Sequence, residues 1–175
     1  MTFPSNGTVH GAELAELDRK FHGYDRIRQI ERLSIRRFME AHRDKLRGRV
    51  LDFGAGTQPY GDLVDGEYVP LEKGEAWPDG PFDAVMCNQV LQYVAFPSTA
   101  LERFFRELKP GGFLVLTYPC CWDEVEPTDL WRFTKVAMSH LVRAECFELL
   151  EHERRAEVAI GNFKFPLGYG LVARK

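Results

Sequence analysis

Val50-Leu51-Asp52-Phe53-Gly54-Ala55-Gly56-Thr57 decides the reading of this chain. An apolar run too short for a helix predicts a buried strand over 49–53, and the glycines after it predict a turn at the strand's carboxyl end. Glycine lets the backbone take positive φ and approach a ligand with no Cβ in the way. In an open α/β sheet that position matters, because ligands bind outside the carboxyl ends of the strands where strand order reverses. A second apolar stretch, Tyr68-Val69-Pro70-Leu71-Glu72, ends in an acid. It follows the turn by about 20 residues, the spacing at which a carboxylate accepts from the two hydroxyls of a ribose. A GxG turn alone identifies no ligand, and Glu72 alone reads equally well as a solvated turn residue.

Outward from this unit, helix and strand patterns alternate. Residues 12–47 are read as helical, in two pieces broken near Gly23, with Ile27, Ile30 and Leu33 and then Ile35, Phe38 and Met39 at helical spacing. A short helix is expected over 61–64, strands over 67–71, 82–87 and 113–117, and an amphipathic helix over 99–108 that turns Leu101, Phe104, Phe105 and Leu108 inward. Lys109-Pro110-Gly111-Gly112 closes that helix. Thr134 reads as an N-cap flanked by Phe133 and Met138 as a hydrophobic staple, so a helix is expected to about residue 143. Strands over 147–152 and 167–173 close the domain. Strands alternating with helices predict a parallel sheet covered on both faces.

The composition allows this. The chain has 175 residues, 45% hydrophobic and 28% charged, with a net charge of −3, which fits one globular domain. Acidic residues interrupt the Arg and Lys cluster at 26–49, so nucleic acid is not expected as a substrate. Cys87, Cys120, Cys121 and Cys146 form no CxxC pair, and reduced thiols are expected rather than a disulfide or a metal site. There is no apolar run of about 20 residues and no basic-then-apolar leader, so the reading is cytoplasmic with no membrane partner.

What the turn must hold separates two nucleoside cofactors. A dinucleotide needs a third glycine and a helix N-terminus aimed at a pyrophosphate, and here Pro59 occupies that third position. S-adenosylmethionine has no phosphate. The run Leu51-Asp52-Phe53-Gly54-Ala55-Gly56-Thr57 resembles the first motif of the class I S-adenosylmethionine-dependent methyltransferases. Phe82 to Val94 is similar to that family's fourth-strand motif, and Leu108-Lys109-Pro110-Gly111-Gly112-Phe113-Leu114-Val115-Leu116 to its helix-turn-strand signature. Gly168 to Lys175 resembles its final strand, and Asp129-Leu130-Trp131-Arg132-Phe133-Thr134 a branch of small-molecule and sugar or glycan enzymes.

The resemblance implies a single-domain Rossmann-like doubly wound sheet, mostly parallel with an antiparallel C-terminal strand, and methyl transfer from S-adenosylmethionine to a small molecule. Residues 1–47 would be a helical lid and 48–175 the core. Lys73 to Pro81 is only nine residues; a parallel crossover takes a dozen or more, so the third strand and its preceding helix are expected to be missing or shortened. Nine extended residues still reach about 30 Å, enough to pass from one strand to its neighbour's neighbour. Carried over, the resemblance implies that Gly54, Ala55 and Gly56 lie under the methionine and ribose, with Phe53, Thr57, Leu71 and Lys73 around them. It sets Glu72 on the ribose hydroxyls, Asn88 and Gln89 at the methionine end, and Asp52 orienting the turn. The family's adenine-contacting acid has no counterpart here, and Trp77 is the candidate wall.

The sulfonium is already a good electrophile, so residue chemistry says little about the acceptor. Tyr118, Asp129 and His140 are the candidate general bases, and Trp122, Trp131 and Arg132 the candidate acceptor contacts. Each has a plainer reading. His140 lies mid-helix, Asp129 and Arg132 can pair across a turn, and the tryptophans can be core. Phe21, Tyr24, Ile27 and Arg28 form a stripe at helical spacing that could close over the donor, with Tyr24 or Arg28 on its carboxylate, or could be permanent packing. A catalytically idle domain that binds S-adenosylmethionine or a partner is the second reading. Both predict binding of S-adenosylmethionine and its demethylated product but not NAD; at 100 times the dissociation constant, a ligand of the folded form adds about 2.7 kcal/mol. Thermal-shift measurement with each cofactor checks this, and a shift with NAD alone would reverse the assignment.

Overall fold

Four strands run parallel: β1 (Arg47–Phe53), β2 (Asp65–Leu71), β3 (Phe82–Asn88) and β4 (Leu108–Pro119). The hairpin of β5 (Glu148–Ile160) and β6 (Phe163–Arg174) completes one sheet in the order β2-β1-β3-β4-β6-β5, with β6 antiparallel to both neighbours. The computed structural model describes residues 26–160 and 163–175 except 123 and 126. Among them, three α-helices flank the sheet: α1 (Arg26–Ala41), α2 (Pro97–Glu107) and α3 (Lys135–Ala144). No described helix is long and apolar enough to cross a membrane.

Strand side chains point alternately to the two faces, and the core divides accordingly. Val50, Ala84, Met86, Val115 and Val172 pack on one face with Ile35, Phe38 and Met39 of α1. Their chain neighbours Leu51, Val85, Leu114, Leu116 and Leu171 pack on the other with Leu101 and Phe104 of α2 and Met138 and Val142 of α3. Apolar residues on both faces of the central strands require cover on both sides, hence the doubly wound form. Thr134 caps α3, its Oγ1 accepting from the Ala137 amide at 3.1 Å, with Phe133 and Met138 both buried.

The missing strand has the expected consequence. β2 is an edge strand, and from it the chain crosses β1 to reach β3 with no helix between. The crossing is pinned by Trp77, whose ring lies 5.4 Å from that of Phe53 and 6.0 Å from that of Phe104, with the Arg103 guanidinium 4.2 Å above it.

Boundaries differ from the sequence reading at several elements, β6 among them, which starts at Phe163 rather than 167. The first helix ends at Ala41, not near 47: a 3-10 turn over Arg43–Lys45 follows, and Arg47 and Gly48 join the ladder opposite Asp65 and Gly66. Lys109 to Gly112 are already part of β4 rather than a separate turn. β5 runs on to Ile160 because it is an edge strand, where charged residues such as Glu151 and Glu153 stay in water. Helix 1 itself is described only from residue 26, so the break near Gly23 lies outside the described residues.

His152 on β5 is held between two hydroxyls, Tyr118 at Nε2 (2.7 Å) and Ser139 at Nδ1 (2.8 Å). Burial, reinforced by Lys135 and Arg143, pushes its pKa down to about 4. The unfolded chain, near 6.5 at this residue, therefore takes up the proton first as pH falls; the contribution is complete above 6.5 and is lost between 6.5 and about 4. Asp52, pushed up to about 7 by burial, has the opposite slope, its contribution being lost as pH rises through 7. Comparison with His152→Asn isolates the histidine, since the Asp52 contribution is common to both proteins. The stability gap between wild type and variant is expected to shrink by about 1 kcal/mol from pH 7.5 to 5, a figure discounted for partial exposure. Urea denaturation at the two pH values measures it.

Candidate active site

A cavity of about 1230 Å³ opens at the carboxyl ends of β1, β3 and β4. That exceeds the roughly 300–1,000 Å³ of a pocket for one small molecule, so it has room for two. Its floor is the turn after β1. Gly54 takes φ +74, donates its amide to Leu71 O (2.8 Å), and packs so closely that a Cβ there would lie 2.5 Å from Val90. No other residue type fits. The Gly56 amide donates to Glu72 Oε1, which ties the turn to the end of β2.

Asp52 sits below this turn, 2% exposed, accepting from the Tyr68 hydroxyl at 2.6 Å. Burial is the main reason its carboxyl rises to about 7; Tyr68 pulls it down and Glu72 pushes it further up. Asn88 Oδ1 accepts from Thr117 Oγ1 (3.0 Å), leaving its buried Nδ2 without a partner. The Trp77 indole N–H, also at the cavity wall, is buried and unpartnered too. Buried donors left over by the protein's own hydrogen bonding suit a polar ligand.

The wall nearest α1 is a charged cluster. The Arg155 side chain of β5 is fully buried; it donates to Tyr169 O (2.9 Å), Ser34 Oγ (2.9 Å) and Tyr118 O (3.3 Å) and lies 3.6 Å from Glu31 Oε1. Gln89, at φ +60, bridges the pair: its amide oxygen accepts from Arg155 Nη2 (2.8 Å) and its nitrogen donates to Glu31 Oε1 (3.2 Å). Burial raises the Glu31 pKa and Arg155 opposes the rise.

A family model described as a methyltransferase domain matches residues 22–154. The chain belongs to this family. A ubiquinone biosynthesis O-methyltransferase of Psychrobacter cryohalolentis is 34% identical over 56 residues, 32% of this chain and 22% of that protein. The match thus spans about a fifth of the length of that relative. Among solved structures, an S-adenosylmethionine-dependent methyltransferase from Archaeoglobus fulgidus superposes with TM-score 0.61 at 15% identity, covering 93% of this chain and 99% of the other. The [4+2]-cyclase SpnF superposes with TM-score 0.57 at 21% identity, covering 85% of this chain and 82% of the other. At such identities the superpositions establish the Rossmann-like fold.

The residues present fit S-adenosylmethionine as the cofactor of such a domain: a glycine turn, a carboxylate just after β2, and orphan donors at Trp77 and Asn88. Of the residues singled out in the sequence, Asp52, Phe53, Gly54, Ala55, Gly56, Thr57, Leu71, Glu72, Lys73, Trp77, Asn88, Gln89 and Arg28 all line the cavity, as do Trp122 and Asp129. Tyr24 lies outside the described residues.

Four others are elsewhere. Tyr118 is fully buried beneath the sheet, its hydroxyl on His152 and its pKa raised by burial, so the structure does not bring it to the cavity as a base. His140 is exposed on α3, in a shallow depression with Lys135, Val136 and Arg143, away from the cavity. Arg132 holds both oxygens of Asp129 (2.6 Å each) and the Trp122 carbonyl (3.3 Å), and so shapes the loop behind the wall. Trp131 stands at the rim, its indole N–H on Val94 O (2.9 Å). Asp129 reaches the cavity, but Arg132 keeps its pKa below the usual carboxylate range.

Glu31, Tyr60 and Gln92, all in the wall, were not singled out. Glu31 follows Arg28 on the same helical face, and one more turn of the stripe would have found it. Arg155 had no signal in sequence. Glu72→Ala is expected to weaken binding of S-adenosylhomocysteine by about 1.5–3 kcal/mol, the range for hydrogen bonds to a charged group. Titration calorimetry on the folded variant measures this, and equal affinities would mean the ribose is held elsewhere.

Proposed function

We propose that this protein transfers the methyl group of S-adenosylmethionine to a small-molecule acceptor by in-line displacement, the acceptor being a sugar, a glycan precursor or a natural product. The observation that carries the reading is one cavity, large enough for two molecules, whose glycine-turn end suits the donor and whose other end is walled by Trp122, Val125 and Asp129. The sulfonium supplies the electrophile; the protein has to hold the two reactants in line and keep water out.

The chain's own groups divide that work. Glu72 and the Gly54–Thr57 turn hold the ribose, Phe53 and Trp77 flank the adenine, and Asn88, Gln89 and Arg28 receive the methionine end. Asp129 is a poor base while Arg132 occupies both of its oxygens. Its job is to fix its own loop against the acceptor, and the proton that the nucleophilic atom gives up on methylation passes to solvent water. An idle donor-binding domain is the second reading, favoured by the commitment of both Asp129 oxygens to Arg132.

Incubation with methyl-labelled S-adenosylmethionine and a pool of cell metabolites separates the two. Transfer of label to a small molecule, with stoichiometric S-adenosylhomocysteine, is expected. Donor binding without any labelled product would establish the idle reading. Asp129→Asn is expected to raise the acceptor KM by roughly tenfold, as the loss of about 1.4 kcal/mol, while leaving donor affinity unchanged in calorimetry.

A further inference from the structure

The 91–94 turn and the loop around Val125 border the cavity with an apolar wall. Tyr93, Val94, Trp122 and Val125 line it, and beyond the mouth Phe96, Leu130 and Trp131 are 73%, 52% and 43% exposed. These side chains are not loose. The Leu130 amide donates to Gln92 O (2.8 Å) and the Trp131 indole to Val94 O (2.9 Å), joining the 91–94 turn to the 122–132 loop. The Trp131 ring also stacks on Phe133 at 6.2 Å. Holding large apolar groups outward in fixed positions forgoes the gain of burying them, and contiguous patches of this kind mark binding sites.

Charge narrows the occupant. Among the described residues of this wall and its loop the ionised acids are Asp129, which Arg132 neutralises with two 2.6 Å bonds, and the exposed Glu124, which the same guanidinium also attracts. Hydrogen-bonding groups are the lesser part of the described wall, the Tyr93 hydroxyl, Thr128 and the buried Gln92 beside the committed Asp129, against the apolar Val94, Phe96, Trp122, Val125, Leu130 and Trp131.

We propose that this rim is the acceptor subsite, and that the acceptor is a neutral molecule with an extended aromatic or aliphatic body. Its reacting end enters the cavity beside the donor, and its apolar body lies over Tyr93, Phe96, Leu130 and Trp131. The proposal rests on the methyltransferase reading above and narrows its substrate class.

The test is binding rather than turnover. The full chain, saturated with S-adenosylhomocysteine, is titrated with the neutral fluorophore N-phenyl-1-naphthylamine, and the bound dye is displaced with 4-alkylphenols of increasing chain length. Saturable fluorescence is expected, with competition strengthening about two- to fourfold per added methylene, as the transfer of a CH₂ from water implies. Phe96→Ser and Trp131→Ser should each raise the dye dissociation constant about tenfold. Phe96 is mostly exposed, so its variant tests the rim without disturbing packing. Dye binding indifferent to both substitutions, competition by methyl glucoside but not by alkylphenols, or loss of a dimer in light scattering as the sole effect of the variants would overturn the proposal. Failure to bind S-adenosylhomocysteine is read separately by calorimetry and would remove the methyltransferase reading instead.

Discussion

The buried guanidinium of Arg155 is the constraint on which the arrangement of the cavity depends. A cation sealed from water is tolerated only where its hydrogen bonds are met and a counter-charge lies near. Here the partners come from four elements: Ser34 and Glu31 on α1, Gln89 after β3, the Tyr118 carbonyl of β4 and the Tyr169 carbonyl of β6. Removing any one leaves a charge or a polar group unpaired in the interior, so the cluster fixes α1 against the ends of the strands. Gly168 completes it, since a Cβ at that position would come within 2.1 Å of Arg155 Nη2. Two of these partners, Glu31 and Gln89, also face the cavity.

The shortened sheet determines the other end of the site. β2 is the edge of the sheet among the described residues, and the short crossing between β2 and β3 walls the cavity on that side. Trp77 anchors that crossing by packing on Phe53 and Phe104 under Arg103. The residue that pins the chain is therefore also the cavity wall at that end. Phe53 has a similar double use, as the last residue of β1 and as part of the same aromatic cluster.

Between these ends, the polar groups near the reaction are mostly committed to one another. Asp129 is tied to Arg132, Glu31 to Arg155, and Asp52 to Tyr68. A site of this kind orients reactants more than it exchanges protons with them, consistent with a donor that carries its own leaving group. The part-buried Tyr118–His152–Ser139 side-chain relay lies on the α3 face of the sheet, opposite α1, and belongs to the packing of α3.

Sequence by itself determined the local features of the chain around the first strand and the last helix. The strand-turn 50–57, the acid at Glu72, the short crossing at 73–81 and the cap at Thr134 are local features: each depends on backbone freedom, on alternation, or on a side chain reaching its own neighbours. The tertiary structure alone decided the rest. Tyr118 and His140 have the chemistry of bases, but whether a side chain on β4 or α3 faces the cavity depends on which face of the sheet or helix is covered. Arg155 sits in a charged run that reads as solvent-exposed; only the pairing of β5 with β6, and of β6 with β4, carries its guanidinium beneath α1. The rim formed by Tyr93, Phe96, Leu130 and Trp131 joins segments more than 30 residues apart, and no local pattern reports on contacts made across that distance.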